Sequence, residues 1–266
     1  MKISFRDRAY NACKKFSDIK KYEGKIYLNC CVGVEYDLDL LEYSIDYYKE
    51  LGVDEFFIIL NTIDENSSNL KEATNILDKY SNIHKSIWIG EYFSKWTAQK
   101  NKDFIKDYVR DNDWVITIDI DEFQDYPMGL RELITICEKR NYHCVIGKLI
   151  DRISKDGKLK PIDKNRSLWE QYSINTNLFN KHYFVNDKVL LRKKYITLHP
   201  GHHFPVPGIS DILVYPEMLN VDHFRWRENL RQKLDDRMRI WQKLGQRNCS
   251  LIKKMFDYYD EQGTLL

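Results

Sequence analysis

Asp119 and Asp121 stand one residue apart at the end of an apolar run, Trp114-Val115-Ile116-Thr117-Ile118-Asp119-Ile120-Asp121-Glu122-Phe123. The run is β-branched and aromatic, which fits a buried strand, and alternate side chains of a strand share a face. The two acids therefore project together, while Ile118 and Ile120 point into the opposite layer. Paired carboxylates in a half-dry site repel each other unless a cation lies between them. A divalent ion bound there could also grip a diphosphate.

The triplet alone is a weak signal in a chain this rich in aspartate. Two further copies occur, Asp37/Asp39 and Asp111/Asp113. Asp37 and Asp39 stand where a helix should begin, and acids in a first turn favour the positive end of the helix dipole, so they read as capping. Asp111 and Asp113 belong to a polar Arg-Asp-Asn-Asp turn. Only the third copy closes a long apolar strand, and it is followed by another acid and an aromatic, Glu122 and Phe123.

The elements that position this pair alternate. Residues 26–34 read as a buried strand. Residues 37–51 read as an amphipathic helix with Leu41, Ile45 and Tyr48 on one face, closed by Gly52. Residues 55–60 form a second strand that runs into the turn Asn61 to Ser68. A helix over 69–80, a strand over 86–90 and a helix over 97–109 lead to the strand that ends in Asp119. Strands separated by helices imply right-handed crossovers and a mainly parallel sheet flanked by helices. Ligands of such sheets bind beyond the carboxyl ends of the strands, where Glu35, Asn61 and Asp119/Asp121 all fall. The second half begins with a helix (130–139), a strand (144–153) and the loop Ser154 to Lys158, which has the look of a hairpin. Strand-like segments follow at 188–193 and 212–215, and two helices joined near Gly245 close the chain. The expected organisation is one α/β catalytic domain over 1–226 with a helical extension over 227–266.

Composition narrows the function classes. The 266 residues carry 42 Lys and Arg against 40 Asp and Glu, and the basic residues form no concentrated stripe, so nothing points to a nucleic-acid partner. The six cysteines show no C-x-x-C spacing; Cys30, Cys137 and Cys144 lie in or beside apolar segments and read as small buried hydrophobes in a reducing compartment. No apolar run reaches spanning length and the first residues lack a signal-peptide core, so a soluble, cytoplasmic protein is expected.

A first strand ending in an acid is followed by Leu-Leu-Glu-Tyr-Ser-Ile-Asp-Tyr-Tyr-Lys-Glu-Leu-Gly-Val and then by a strand ending at Asn61. Trp96 and Gln99 open the helix before Asp-Trp-Val-Ile-Thr-Ile-Asp-Ile-Asp-Glu-Phe. Further on come Leu149-Ile150-Asp151-Arg152 with Asp156-Gly157, then Gly201-His202-His203, and His223-Phe224-Arg225-Trp226 with Arg237. Together these motifs, spread up to about Gly245, resemble the nucleotide-sugar glycosyltransferases of the GT-A (Rossmann-like) fold, in particular the family-2-like group with a D-x-D-E-F signature. The resemblance implies transfer of a sugar from a nucleoside-diphosphate sugar, a UDP-sugar above all, to a hydroxyl acceptor with inversion. The acceptor would be a glycan, a lipid-linked saccharide or a protein. It implies a Mn²⁺ or Mg²⁺ ion with Asp121 as direct ligand, Asp119 binding through water or holding the ribose, and His223 as a third ligand; imidazole beside carboxylates favours Mn²⁺. The other reading of His223 is an anchor for the C-terminal helix. Glu35 and Asn61 would lie under the nucleotide, with Asp64 in a similar role, although Asn61 also fits a turn and Glu35 a capping partner.

His202 and His203 sit in a Gly/Pro-rich loop that suits a lid or phosphate contact, or plain packing around Phe204. Trp96 could stack on a sugar or base or merely pack, and Arg237 could reach a phosphate from its helix. The family's usual Glu-Asp pair is missing, which leaves Asp151 and Glu170 as candidates for the catalytic base. Two other classes stay open. One is a phosphatase using the first aspartate of Ile-Asp-Ile-Asp as nucleophile, although its motif usually lies on the first strand with Thr where Phe123 stands. The other is a sugar- or nucleotide-binding domain without chemistry. Arg237, Arg239, Trp241, Lys253 and Phe256 of the terminal helices offer a surface for membrane or subunit contact, or an ordinary solvated face over an apolar stripe.

Overall fold

The computed structural model describes residues 21–178, 186–206, 212–245, 257 and 259–266. Four strands, β1 (Ile26–Gly33), β2 (Glu55–Thr62), β3 (Ile83–Ile89) and β4 (Trp114–Asp119), pair in parallel in the order β3-β2-β1-β4. β1, β2 and β4 are covered on both faces, and this explains their nearly continuous apolar runs, whereas the edge strand β3 carries polar residues and stays partly exposed. Helices α1 (Leu41–Glu50), α2 (Ser68–Leu77) and α4 (Leu130–Arg140) cover one face, packing Leu41, Ile45, Leu70, Ala73 and Leu133 on Leu28, Cys30 and Val32 of β1. Helix α3 (Ser94–Ile105) covers the other, where Ile105 meets Tyr27, Phe57 and Val115. The β4 side chains alternate as the sequence predicts: Ile118 and Ile120 enter the main core, while Asp119 has the parity of Val115.

The remaining strands, β5 (Glu122–Asp125), β6 (Cys144–Ile153), β7 (Ile174–Thr176), β8 (Asp187–Lys193) and β9 (Leu219–His223), extend the sheet as β4-β8-β6-β9-β5, with β7 on β6. Among the described strands of this half β6 and β9 pair in parallel and the other pairs are antiparallel, so antiparallel additions extend the parallel sheet. The connectivity forces a curl. Three chain steps from Asp119 to Glu122 span about 11 Å at most, whereas four strand spacings in a flat sheet amount to about 19 Å. The second half must therefore bend round so that β5 and β9 return to the tip of β4.

Three details differ from the sequence reading. The expected helix over 37–51 is broken into a turn (Val34–Asp37), a 3-10 turn (Leu38–Leu40) and α1, which still ends at Gly52 with φ +95°. Asp37 makes no capping bond; both it and Asp39 are drawn to Arg227 instead, so the capping reading is replaced by a long-range ion pair. Residues 212–215 form no full strand, only a bridge from Val214 to Cys144. At the C-terminal end, α5 (Leu230–Lys243) buries Leu230 and Leu234 against Ile153, Trp226 and Leu265. Of the second terminal helix, residues 246–256 and 258, Lys253 and Phe256 among them, lie outside the described residues; residues 259–262 are helical. No helix among the described residues is long and apolar enough to cross a membrane. Cys30, Cys31, Cys137 and Cys144 are buried free thiols.

Candidate functional site

The tips of β1, β2 and β4, the β5–β9 pair, the loop 199–206 and one face of α5 enclose a cavity of about 500 Å³. That volume falls in the range of small-ligand sites, roughly 300–1,000 Å³. Asp119 and Asp121 both line it, although β4 ends at Asp119 and Asp121 belongs to the turn before β5, so the turn and not a common strand face brings the second acid to the cavity. Two lysines already compensate them. Lys188 on β8, itself 3% exposed, lies 2.8 Å from Asp119 Oδ2 and 2.6 Å from Glu122 Oε1, and donates to the Gly201 carbonyl at 2.8 Å. Lys233 on α5 donates to both Asp37 oxygens at 2.7 and 2.8 Å and approaches Asp121 Oδ2 at 3.5 Å.

The electrostatics follow from these contacts. Burial alone would push the Asp119 carboxyl up, but Lys188, His202 and Arg237 together outweigh it and hold the group well below the usual carboxylate range. Burial is likewise outweighed at Asp121 by Lys233 and His223. Glu122 differs. It is nearly inaccessible and shares one ammonium with Asp119, so burial prevails and its carboxyl is pushed up to about 7. Lys188 is desolvated as well, but Asp119 and Glu122 more than offset this and keep it protonated.

His223 ends β9 between two acidic strands. The register sets it opposite Glu122 of β5 on one side and Asp151 of β6 on the other. Its Nδ1 is 2.8 Å from Asp151 Oδ1, and its Nε2 faces Asp121 Oδ2 at 3.9 Å. Among the described residues no group of three or more His, Cys, Asp or Glu side chains is gathered closely enough to hold a metal ion by itself. Mg²⁺ and Mn²⁺ seldom require one, because one or two carboxylates and the phosphates of a substrate complete their shell. Asp121, His223 and Asp119 all line the cavity, and their oxygen and nitrogen donors are of the types such a shared ion takes.

Other residues singled out in the sequence divide between the cavity and its surroundings. His202, at φ +61°, and His203 line it; burial lowers both imidazoles to about 4, His202 Nδ1 is buried without a hydrogen-bond partner among the described residues, and His203 Nδ1 donates to the Asp187 carbonyl at 2.8 Å. Arg237 lines the cavity from α5 with its guanidinium 5.2 Å from the Tyr92 ring centre. Glu35 and Asn61 line the end near β1 and β2, but both are engaged. Glu35 accepts from Thr62, Ser67 and Asn69, and Asn61 donates to the carbonyls of Trp88 and Gly90.

Five residues are not in the wall. Asp151 lies behind His223. Asp64 is exposed and accepts from Asn66 N in its own turn. Trp96 packs edge-on against Phe93, Gln99 bonds Asp103 one helical turn away, and Glu170 is exposed on the turn Leu168–Gln171. Conversely, Lys188, Lys233, Arg225 and Glu122 line the cavity without having been singled out. The four-residue spacing Lys233–Arg237–Trp241 could have revealed the α5 wall, since such residues share a helix face.

No protein-family model matches this chain, and no curated protein matches it. Solved structures to which it is similar include 4-diphosphocytidyl-2C-methyl-D-erythritol synthase, at TM-score 0.36 and 11% identity over 65% of this chain and 76% of that one. Others are S. aureus TarS 1-349 (TM-score 0.39, 10% identity, 76% of this chain and 61% of that one) and HddC from Yersinia pseudotuberculosis (0.38, 10%, 79% and 96%). TarS has also been solved in complex with UDP and with UDP-GlcNAc. At these scores the likeness is a partial one of chain course.

Proposed function

We propose that this chain is a metal-dependent glycosyltransferase that moves a sugar from a nucleoside-diphosphate sugar to a hydroxyl acceptor, inverting by direct displacement. The observation that supports the reading is that Asp119, Asp121 and His223 line the same cavity, beyond the carboxyl ends of parallel strands, as Lys188, Lys233, Arg225 and Arg237. Asp121 and His223, with Asp119 beside them, would hold a Mn²⁺ or Mg²⁺ ion. Such an ion, when bound, neutralises the negative charge that develops on a departing diphosphate.

The chain's own residues have separate tasks. Lys233, Arg237 and Arg225 present positive charge to the phosphates. Lys188 keeps Asp119 ionised and ties the strand tip to the carbonyl of Gly201, which fixes the histidine loop over the site. At the far end Glu35 and Asn61, both locked by neighbours, shape the edge on which a nucleoside would rest. Closure by α5 limits water, which would otherwise compete with an acceptor hydroxyl.

The test is a panel of nucleotide sugars incubated with the chain and Mn²⁺, with release of nucleoside diphosphate as the readout. Metal-dependent release from one or a few of them is expected. No release, combined with rapid turnover of an aryl phosphate, would favour the phosphatase chemistry instead.

A further inference from the structure

We infer that Asp151 is a positioning residue that holds the His223 imidazole with its proton on Nδ1, turning Nε2 toward Asp121 as the electron-pair donor of the cavity wall. The inference rests on the proposed metal and diphosphate site. Its geometric basis is the β6–β9 pairing, which sets Asp151 directly opposite His223 in parallel register. Neighbours in register share a sheet face, so the contact is built into the backbone.

Both side chains are enclosed, Asp151 at 1% exposure and His223 at 4%, and the Nδ1–Oδ1 distance is 2.8 Å. A carboxylate oxygen accepts, so Nδ1 donates and the lone pair of a neutral ring lies on Nε2. That nitrogen is the one 3.9 Å from Asp121 Oδ2. Arg152, the next residue, has the opposite parity and reaches Asp222 and the Tyr172 carbonyl. A carboxylate behind a ligating histidine fixes its tautomer and ring orientation and raises its basicity. Asp151 does not line the cavity itself and would act there through His223.

Two measurements on the full chain test this. Nitrogen NMR of the metal-free protein should show His223 protonated on Nδ1, with the Nε2-protonated form gaining in Asp151→Asn. Calorimetry with UDP as probe should show the Mn²⁺-dependent affinity of Asp151→Asn reduced about 10–100-fold, while its affinity without Mn²⁺ stays at the wild-type value. A mere stitch between strands would leave the metal-dependent part unchanged. The inference is overturned by wild-type His223 carrying its proton on Nε2, a result that does not depend on the variant folding. It is equally overturned by unaltered Mn²⁺-dependent affinity in a folded Asp151→Asn. Absence of any Mn²⁺ effect in the wild type would instead remove the metal site, and the ring tautomer would still decide whether Asp151 orients His223.

Discussion

Lys188 is the residue on which the acid cluster depends. Its ammonium is the contact shared by Asp119, Glu122 and the Gly201 carbonyl, and it is withdrawn from solvent. Removing one partner of a buried ion pair leaves the other desolvated and uncompensated. Lys188→Met is therefore expected to destabilise the fold by about 3–5 kcal/mol in urea unfolding; a loss within about 0.5 kcal/mol, the scale of an ordinary surface change, would contradict this role. Asp119 and Asp121 were legible as cavity residues because they follow a long apolar run, and His223 because its motif carries the resemblance. Lys188 was not, because one lysine at the start of an apolar strand looks like any surface charge until the strand has neighbours. Asp64 and Gln99 show the converse: polar residues near a strand or helix end whose needs are met by their own turn.

At the scale of elements, α5 is held against the strand tips by charge at and before its first turn as well as by its apolar contacts. Arg227, 2% exposed, bridges Asp37 and Asp39 and donates to the Phe224 carbonyl at 2.7 Å, while Asn229 reaches the Tyr36 carbonyl and Lys243 pairs with Glu91. Arg227→Ala should cost about 3–5 kcal/mol by the same reasoning. It should also speed hydrogen exchange in 230–243; unchanged exchange there would show that α5 does not rely on this bridge. The C-terminal residues add a second hold. Leu265 is buried with Leu230 and Leu234, and its N–H donates to the Gly157 carbonyl at 2.9 Å. Gly157 sits at φ +68°, and a Cβ there would fall 2.2 Å from Thr264 Oγ1. Gly157→Ala should lose at least about 1–2 kcal/mol from the left-handed backbone alone; full wild-type stability would contradict it. The strands β1, β2 and β4 could be read from sequence because their burial on both faces writes a local apolar run. The β5–β9 and β6–β9 pairings could not, because register between distant segments is set by tertiary contact.

Across the whole molecule, burial of weak acids sets the alkaline limit of stability. Burial pushes the Cys30 and Cys137 thiols up to about 12 and Cys144 up to about 11, from an ordinary value of 9.0, and the enclosed Tyr48 and Tyr126 hydroxyls are raised in the same way. Acids whose folded pKa is raised bind more protons in the native state, so their contribution is complete below the unfolded value and is lost as pH climbs through the folded one. Stability should therefore fall from pH 9 toward 12, and at pH near 8 peptides bearing these three cysteines should escape alkylation until global unfolding. Labelling of Cys137 in native protein would refute the account of its burial. The same architecture leaves a cavity of about 500 Å³ at the strand tips, and the central claim is that it binds a diphosphate together with a divalent ion. Calorimetry of UDP binding with and without Mn²⁺, on the wild type and on Asp121→Ala, tests this most directly. The wild type should gain affinity with Mn²⁺, and Asp121→Ala should keep its fold but lose that gain. Equal Mn²⁺-dependent affinity in the two proteins would contradict the claim.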